Sequence, residues 1–311
     1  MDDTSLRQTG TAVYGDNAAS GDMSSSLTST FQMHSVNDYH IEDKIGSGKF
    51  STVWIARSVR TDMTVALKKI QLFDMMDAVA RRNCLREVNM LQSLDHENII
   101  RYLEAFMQDN DLVIALEWAD RGDLSTIIQE RRQRGVPFSE FEIWDYFTQI
   151  CAGLRHMHQK RIMHRDLKPS NLFLSVGGKL KLGDLGLSRY FSSKTLQVNS
   201  VVGTPYYMSP ECIRELPYDW SSDVWSLGCI LYELITLRSP FYSENLNFYL
   251  LGKKITNCEY EAMPESVPEV MRRLVSGMVQ KDPKQRPDVD AIYRTALERR
   301  EQLAKESGGI S

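Results

Sequence analysis

The chain is poor in several things that would have pointed elsewhere. Its five cysteines, Cys84, Cys151, Cys212, Cys229 and Cys258, are scattered, and the closest two are 17 residues apart. No pair has the short CxxC spacing of a zinc site, and an odd, dispersed set argues against a disulfide framework. No excess of positive charge exists either: 37 Lys and Arg stand against 41 Asp and Glu, a formal net charge of -4. A nucleic-acid-binding face is therefore not expected. The longest apolar run, Leu227 to Leu237, contains Glu233 and falls well short of the roughly 20 residues that cross a bilayer. The first residues lack the basic flank and apolar stretch of a signal peptide. There is no internal repeat and no heptad run. These absences leave a cytoplasmic protein without a transmembrane segment as the expectation.

What is present is an ordinary globular composition, 42% hydrophobic and 25% charged, over 311 residues. Residues 1–38 read as a disordered tail: 12 of the first 36 are Ser or Thr, with little apolar periodicity. From Tyr39 to about Leu116 the signals are mostly strands, including Val65-Ala66-Leu67 and Leu112-Val113-Ile114-Ala115-Leu116, the latter preceded by the turn Asp109-Asn110-Asp111. One helix interrupts them, with Ala80, Cys84, Val88 and Leu91 at helical spacing and Glu87 inside the stretch. From Asp123 onward the chain is mainly helical. Ser139 and Glu142 make a capping box before Ile143, Phe147, Ile150, Leu154 and Met157 on one face. Two short strands, Leu172–Leu174 and Leu180–Leu182, flank Gly177-Gly178, and Val224 to Ile235 is apolar enough for a fully buried helix. The helical pattern ends near Ala304. A strand-rich part followed by a helix-rich part leaves a cleft between them as the default ligand site.

The chemistry sits in four strings. Ile45-Gly46-Ser47-Gly48 begins a glycine-rich turn whose backbone N–H groups can face phosphates, with Ser51 in the place of the third glycine of GxGxxG. Val65-Ala66-Leu67-Lys68 ends a strand in a lysine. With Glu87 as its partner 19 residues later, Lys68 can present a fixed positive charge to α- and β-phosphates. In His164-Arg165-Asp166-Leu167-Lys168-Pro169-Ser170-Asn171, Asp166 can accept the proton of an attacking hydroxyl and Lys168 can stabilise the transferred group. Asn171 and Asp184, the latter opening Asp184-Leu185-Gly186, can ligate Mg2+ through oxygen. A lone Asp near a Lys is ordinarily a surface pair, but this ordered set has no such reading.

In these motifs, and in Ser209-Pro210-Glu211 and Asp223-Val224-Trp225-Ser226-Leu227-Gly228, the chain from about Tyr39 to Leu303 resembles a eukaryotic protein kinase domain. Leu185 and Ser209 stand where most kinases have Phe and Ala. Leu67-Lys68-Lys69-Ile70-Gln71-Leu72-Phe73-Asp74, the Asp-Leu-Gly turn and Gly203-Thr204-Pro205-Tyr206-Tyr207-Met208-Ser209-Pro210-Glu211 resemble the NIMA-related kinases, and their smallest members in particular.

The resemblance implies an α+β bilobal fold: an N-lobe over 39–118 with one regulatory helix, a helical C-lobe over 119–305 with an activation segment at 184–211, and a tail at 306–311. It implies ATP in the cleft. Ile45, Gly46 and Gly48 would cover it, backbone groups of Glu117 and Ala119 would hold the adenine, Leu116 would be the gatekeeper, and Val53, Ala66 and Phe173 would sandwich the ring. It marks the chain as a serine/threonine kinase through Lys168 and Thr204, the latter shaping the floor beside the acceptor. Ser200 matches an activating phosphorylation site, to be met by Arg165 or Arg189. Tyr102 matches a tyrosine that can turn into the cleft and hold the enzyme off. Glu211 and Arg286 match an ion pair tying the activation segment to later helices. Protein substrates, an activating kinase or scaffold meeting Arg81, Arg82 and Arg86, a monomeric state alone, and roles at microtubules, cilia or endomembranes complete what is implied. The rival readings are a pseudokinase scaffold, which should lack Lys68, Asp166, Asn171 or Asp184, and a small-molecule phosphotransferase.

Overall fold

The structure, a computed structural model, describes residues 35–48, 51–71, 88, 91–109, 111–184, 205–244 and 247–308. Five strands, β1 (Tyr39–Ser47), β2 (Ser51–Ser58), β3 (Thr64–Ile70), β4 (Tyr102–Gln108) and β5 (Asp111–Glu117), form one antiparallel sheet in the order β1-β2-β3-β5-β4. Side chains alternate between the faces of a strand, and β3 divides its residues accordingly. Val65 and Leu67 join Tyr39, Ala56, Phe106, Val113 and Ala115 in a small core of the sheet's own. Ala66, Lys68 and Ile70 turn to the other face, where Ile70, Ala105 and Ile114 belong to the large core that runs into the helical part.

Ser35 caps a 3-10 turn over Val36–Asp38, and Val59 N–H donates to the Asp38 carbonyl at 2.9 Å. Of the helix expected around Glu87, Val88 and Leu91 are helical and buried; Glu87, Arg81, Arg82 and Arg86 lie outside the described residues.

The helical part contains α1 (Leu124–Arg134), α2 (Glu140–Gln159), α3 (Pro210–Ile213), α4 (Trp220–Thr236), α5 (Phe248–Asn257), α6 (Glu269–Met278) and α7 (Val289–Gly308). A second, two-stranded sheet pairs β6 (Leu172–Leu174) with β7 (Leu180–Leu182). The Ser139–Glu142 capping box is formed, and Ile143, Phe147, Ile150, Leu154 and Met157 are all buried, as their spacing requires. Fully burying one such side chain contributes about 1.5–3 kcal/mol. Gly153 lets α2 come very close to the crossing chain: a Cβ there would lie 2.6 Å from the Asn98 carbonyl oxygen and 2.8 Å from Leu182. Helix α7 runs to Gly308, beyond the expected end near Ala304. It is tied to α2 by Arg299–Glu140 at 3.0 Å and Arg300–Asp145 at 2.6 Å. Both pairs are partly exposed and each is worth about 0–1 kcal/mol. No described helix is long and apolar enough to cross a membrane.

The expected Glu211–Arg286 pair is present and buried. Arg286 donates to both carboxylate oxygens, at 2.7 and 2.9 Å, and Ser222 Oγ donates to Glu211 at 2.6 Å. Burial pushes the Glu211 carboxyl up, but the bonds from Arg286 and Ser222 and the Arg286 charge outweigh it and hold the group down to about 2. A carboxyl held below its ordinary 4.5 contributes stability above that value and loses it as pH falls through about 2. The shift corresponds to about 3 kcal/mol. Glu211→Gln should therefore lower unfolding stability at neutral pH by about 3–5 kcal/mol. It should also flatten the fall in stability between about pH 5 and 2, as followed by denaturant unfolding across pH. An acid limb as steep as that of the wild type would show that the pair is not what titrates.

Candidate active site

The segment after α2 is held by one carboxylate. Asp223, fully buried in the first turn of α4, accepts from His164 N–H at 2.9 Å and Arg165 N–H at 3.0 Å. It also accepts from the Tyr218 hydroxyl and meets His158 Nε2 at 2.9 Å. Burial would raise its pKa; the His158 bond and charge, then His164 and Tyr218, more than reverse that, so the group is held low and ionised. Arg165 is thereby kept at φ 69°, a left-handed conformation uncommon for a residue with a Cβ. His164 is fully buried, and neither of its ring nitrogens has a hydrogen-bond partner among the described residues. Burial, partly opposed by Asp223, Asp166 and Asp184, lowers its pKa and favours a neutral ring.

This loop brings three of the expected site residues together. Lys168 Nζ lies 2.8 Å from Asp166 Oδ2, and Asn171 Nδ2 donates to that same oxygen at 3.0 Å and to the Asp166 carbonyl at 2.7 Å. Asp166 Oδ1 has no hydrogen-bond partner among the described residues, which leaves it for a hydroxyl. With its nitrogen committed, the Asn171 amide has Oδ1 left for a cation. A 3-10 turn over Pro169–Asn171 leads into β6, and the Asn171 carbonyl accepts Gly183 N–H at 2.9 Å, which sets the next strand beside the loop. Gly183 has to be glycine: a Cβ would lie 2.6 Å from the Phe173 ring.

Asp184 follows at φ 55°. Its carboxylate accepts from Lys68 Nζ of β3, so one ion pair joins the five-stranded sheet to the helical part. The Asp184 side chain keeps 45% of its exposure; the desolvation it does undergo would raise its pKa, but Lys68, then Lys168 and His164, outweigh this and hold the group low and ionised. Among the described residues no three His, Cys, Asp or Glu side chains form a closed metal cage. A hard cation that keeps several waters and takes one or two protein oxygens plus phosphate fits such a donor set. Asp184 and the Asn171 oxygen therefore fit Mg2+.

The sheet supplies the roof. Val53 is paired with Lys68 and with Gly46, while Ala66 is paired with Leu116 and Leu116 with Tyr102. Directly paired residues share a face, so Val53, Ala66, Lys68, Leu116 and Tyr102 face one way. Gly48 N–H donates to the Ser51 carbonyl at 2.7 Å and closes the turn between β1 and β2; Ile45 at its rim is exposed. Glu117 N–H donates to the Arg101 carbonyl at 2.9 Å. A small cavity behind Leu116 is lined by Lys68, Leu91, Ile100, Tyr102, Ile114 and Gly183, among others. The Tyr102 hydroxyl is buried, with no partner at full hydrogen-bond geometry among the described residues; burial pushes its pKa up to about 12, opposed in part by the side chain of Gln92.

Thr204, Ser200, Arg189, Leu185 and Glu87 lie outside the described residues. Sequence reasoning missed the anchoring contacts. Asp223 was seen only as part of a string, although an acid at the start of an apolar helix is itself a signal. Tyr207, whose hydroxyl donates to half-buried Glu233, and Ser226, which donates to the Tyr207 carbonyl at 2.9 Å, were not singled out. Burial raises the Glu233 pKa despite the Tyr207 bond.

Comparison with known proteins agrees with this geometry. Residues 39–297 match the protein kinase domain model. The chain is 42% identical over 252 residues to "Probable serine/threonine-protein kinase nek3" of Dictyostelium discoideum, covering 80% of this chain and 22% of that protein. It is 36% identical over 260 residues to human "Serine/threonine-protein kinase Nek5", covering 83% and 36% of the two chains. It is 35% identical over 270 residues to "Serine/threonine-protein kinase nekl-2" of Caenorhabditis elegans, covering 84% of this chain and 74% of that one. It thus spans well under half of the first two relatives and most of the third. With residues 39–297 matched to that model and these relatives 35–42% identical, the chain belongs to the protein kinase domain family, in its NIMA-related branch.

Proposed function

We propose that this chain is an ATP-dependent serine/threonine protein kinase. The observation that carries the reading is the pairing of Asp166, Lys168 and Asn171 on one loop with the Lys68–Asp184 ion pair across the cleft. ATP enters between sheet and loop, its adenine against Val53, Ala66 and Phe173 and on the backbone of Glu117 and Ala119. Lys68 holds the α- and β-phosphates. Asp184 and Asn171 would hold Mg2+, which would supply positive charge to offset that of the phosphates. Asp166 Oδ1 orients the acceptor hydroxyl and takes its proton. The hydroxyl oxygen bonds to the γ-phosphorus as the bond to the β-phosphate oxygen breaks, and ADP leaves. Lys168 neutralises the moving phosphoryl group.

Regulation rests on three residues. Ser200 phosphorylation adds about −1.5 to −2 charge, suited to a two-pronged contact with an arginine such as Arg165 or Arg189. Thr204 shapes the acceptor floor and favours serine or threonine. Tyr102, on the cleft face beside Leu116, restrains the enzyme before activation. Protein substrates carry a bulky apolar residue three positions before the acceptor. A larger related kinase or a scaffold places the chain in the cytoplasm, at microtubule structures or endomembranes.

Transfer of labelled γ-phosphate to a casein-like protein, with small alcohols in parallel, tests the reading; transfer to neither substrate sinks it, and transfer to the alcohols alone favours the small-molecule rival. Asp184→Ala should fold and lose about 100-fold or more in rate, on the scale of removing one group that stabilises transition-state charge; a purified variant retaining a tenth of wild-type rate contradicts the metal assignment. Tyr102→Ala should raise basal turnover several-fold. Unchanged or lower turnover at an unchanged Tm counts against restraint by that ring. After treatment with an upstream kinase or autophosphorylation, Ser200→Ala should remain at the basal rate. If mass spectrometry finds Ser200 occupied in active wild type while Ser200→Ala reaches full rate, the switch lies at another residue.

A further inference from the structure

Lys181 belongs to none of the groups assigned above, yet it is a buried cation at the junction of the lobes. It lies in β7, directly paired with Phe173, and its side chain is 11% exposed. Its ammonium lies 3.0 Å from Glu117 Oε1 and 3.1 Å from Oε2. Glu117 Oε2 also accepts from Arg101 N–H at 3.1 Å, while Glu117 N–H donates back to the Arg101 carbonyl at 2.9 Å. Three chain segments therefore meet at one carboxylate: the entry to β4, the exit from β5, and β7.

The surroundings show what this meeting controls. On one side, Ile100 N–H donates to Leu182 at 2.8 Å and Leu182 N–H donates to Asn98 at 2.9 Å. On the other, Arg121 N–H donates to Leu174 at 3.0 Å and Leu174 N–H donates to Gly122 at 2.8 Å. Both crossings between the lobes are thus bonded through their backbones to the β6–β7 hairpin. Glu117 itself makes no backbone bond to that hairpin; its side chain does so through Lys181. Burying the Lys181 ammonium against a half-buried carboxylate is a costly way to add stability, since an apolar side chain of similar size serves as well or better. What the pair adds is a defined geometry for the Glu117 peptide.

We propose that Lys181 is a positioning residue for nucleotide binding. Through the Glu117 carboxylate it fixes the peptide whose carbonyl faces the adenine edge, without touching the nucleotide. The nucleotide part rests on the kinase reading given above; the geometric part does not.

The test uses Lys181→Met, which keeps an unbranched stem and removes the charge, and the double variant Lys181→Met/Glu117→Gln, which also removes the stranded carboxylate. Lys181→Met should raise KM for ATP about 5–10-fold with kcat changed less than about twofold, the pattern of lost ground-state binding. Its Tm should fall. In the double variant Tm should recover while KM for ATP stays raised, because neutrality is restored but the fixed geometry is not. KM returning together with Tm would mean a merely structural role and overturn the proposal, as would an unchanged KM in Lys181→Met. Hydrogen exchange without nucleotide supplies a second readout: the amides of residues 117–122 should exchange faster in both variants. If the wild type neither binds ATP nor transfers phosphate, the kinase reading fails by itself. The exchange result then decides the geometric claim, and unchanged exchange refutes it.

Discussion

The buried carboxylate of Asp223 is the constraint from which the site is built. An ionised acid with no exposed surface is tolerable only when its oxygens are fully used, because an unpaired buried charge costs several kcal/mol. Two of its four donors are the backbone N–H groups of His164 and Arg165. The loop that carries Asp166 therefore has to adopt the shape that satisfies Asp223, including the left-handed turn at Arg165. The dependence is mutual: helix α4 can keep an acid in its core only while that loop is docked. The other polar residues of α4 act in the same way on other segments. Ser222 takes Glu211, Ser226 takes the Tyr207 carbonyl, and Glu233 takes the Tyr207 hydroxyl. A helix otherwise made of core residues thus carries a row of polar sockets, each holding a different stretch of chain beside the cleft.

Across the cleft the charges alternate. Lys68 is paired with Asp184, and Lys168 with Asp166. The first pair takes one partner from each lobe, so its strength depends on how far the lobes are apart. In the proposed reaction the pair is exchanged: Lys68 turns to phosphate oxygens and Asp184 to Mg2+. Each charge leaves one opposite charge for another, so neither is left without a partner. Asp166 needs no such exchange, because Lys168 and Asn171 occupy only one of its two oxygens.

Most of this fold is legible in local patterns. The apolar strand run Val65-Ala66-Leu67, the helical spacing in α2 and the capping box at Ser139 each depend on residues within a few positions of one another, and each forms as its pattern requires. The motif residues Lys68, Asp166, Lys168, Asn171 and Asp184 are likewise brought into one cleft. What escaped joins distant residues. Nothing near Tyr218 in sequence indicates that its hydroxyl will meet Asp223 along with His158, and nothing near Lys181 points to Glu117. The end of α7 escaped for another reason. Apolar periodicity stops near Ala304, but Lys305 and Glu306 are good helix formers, so the helix continues to Gly308 without a face to bury.

Burial also explains why Lys68 stands where it does. Strand side chains alternate with a period of two, so a slip of one residue exchanges the faces of the whole strand. In β3 such a slip would put Lys68 among Tyr39, Ala56, Phe106, Val113 and Ala115, and would turn Val65 and Leu67 toward the cleft. The first change sets an ammonium among apolar side chains, where the carboxylate on that face, Glu104, is already bonded to the Tyr39 hydroxyl; the second removes two apolar side chains from the core. Both costs are of several kcal/mol or close to it, against a register advantage that catalysis itself does not supply to folding. The position of Lys68 opposite Asp184 is thus enforced by Val65 and Leu67, two residues that take no part in the chemistry.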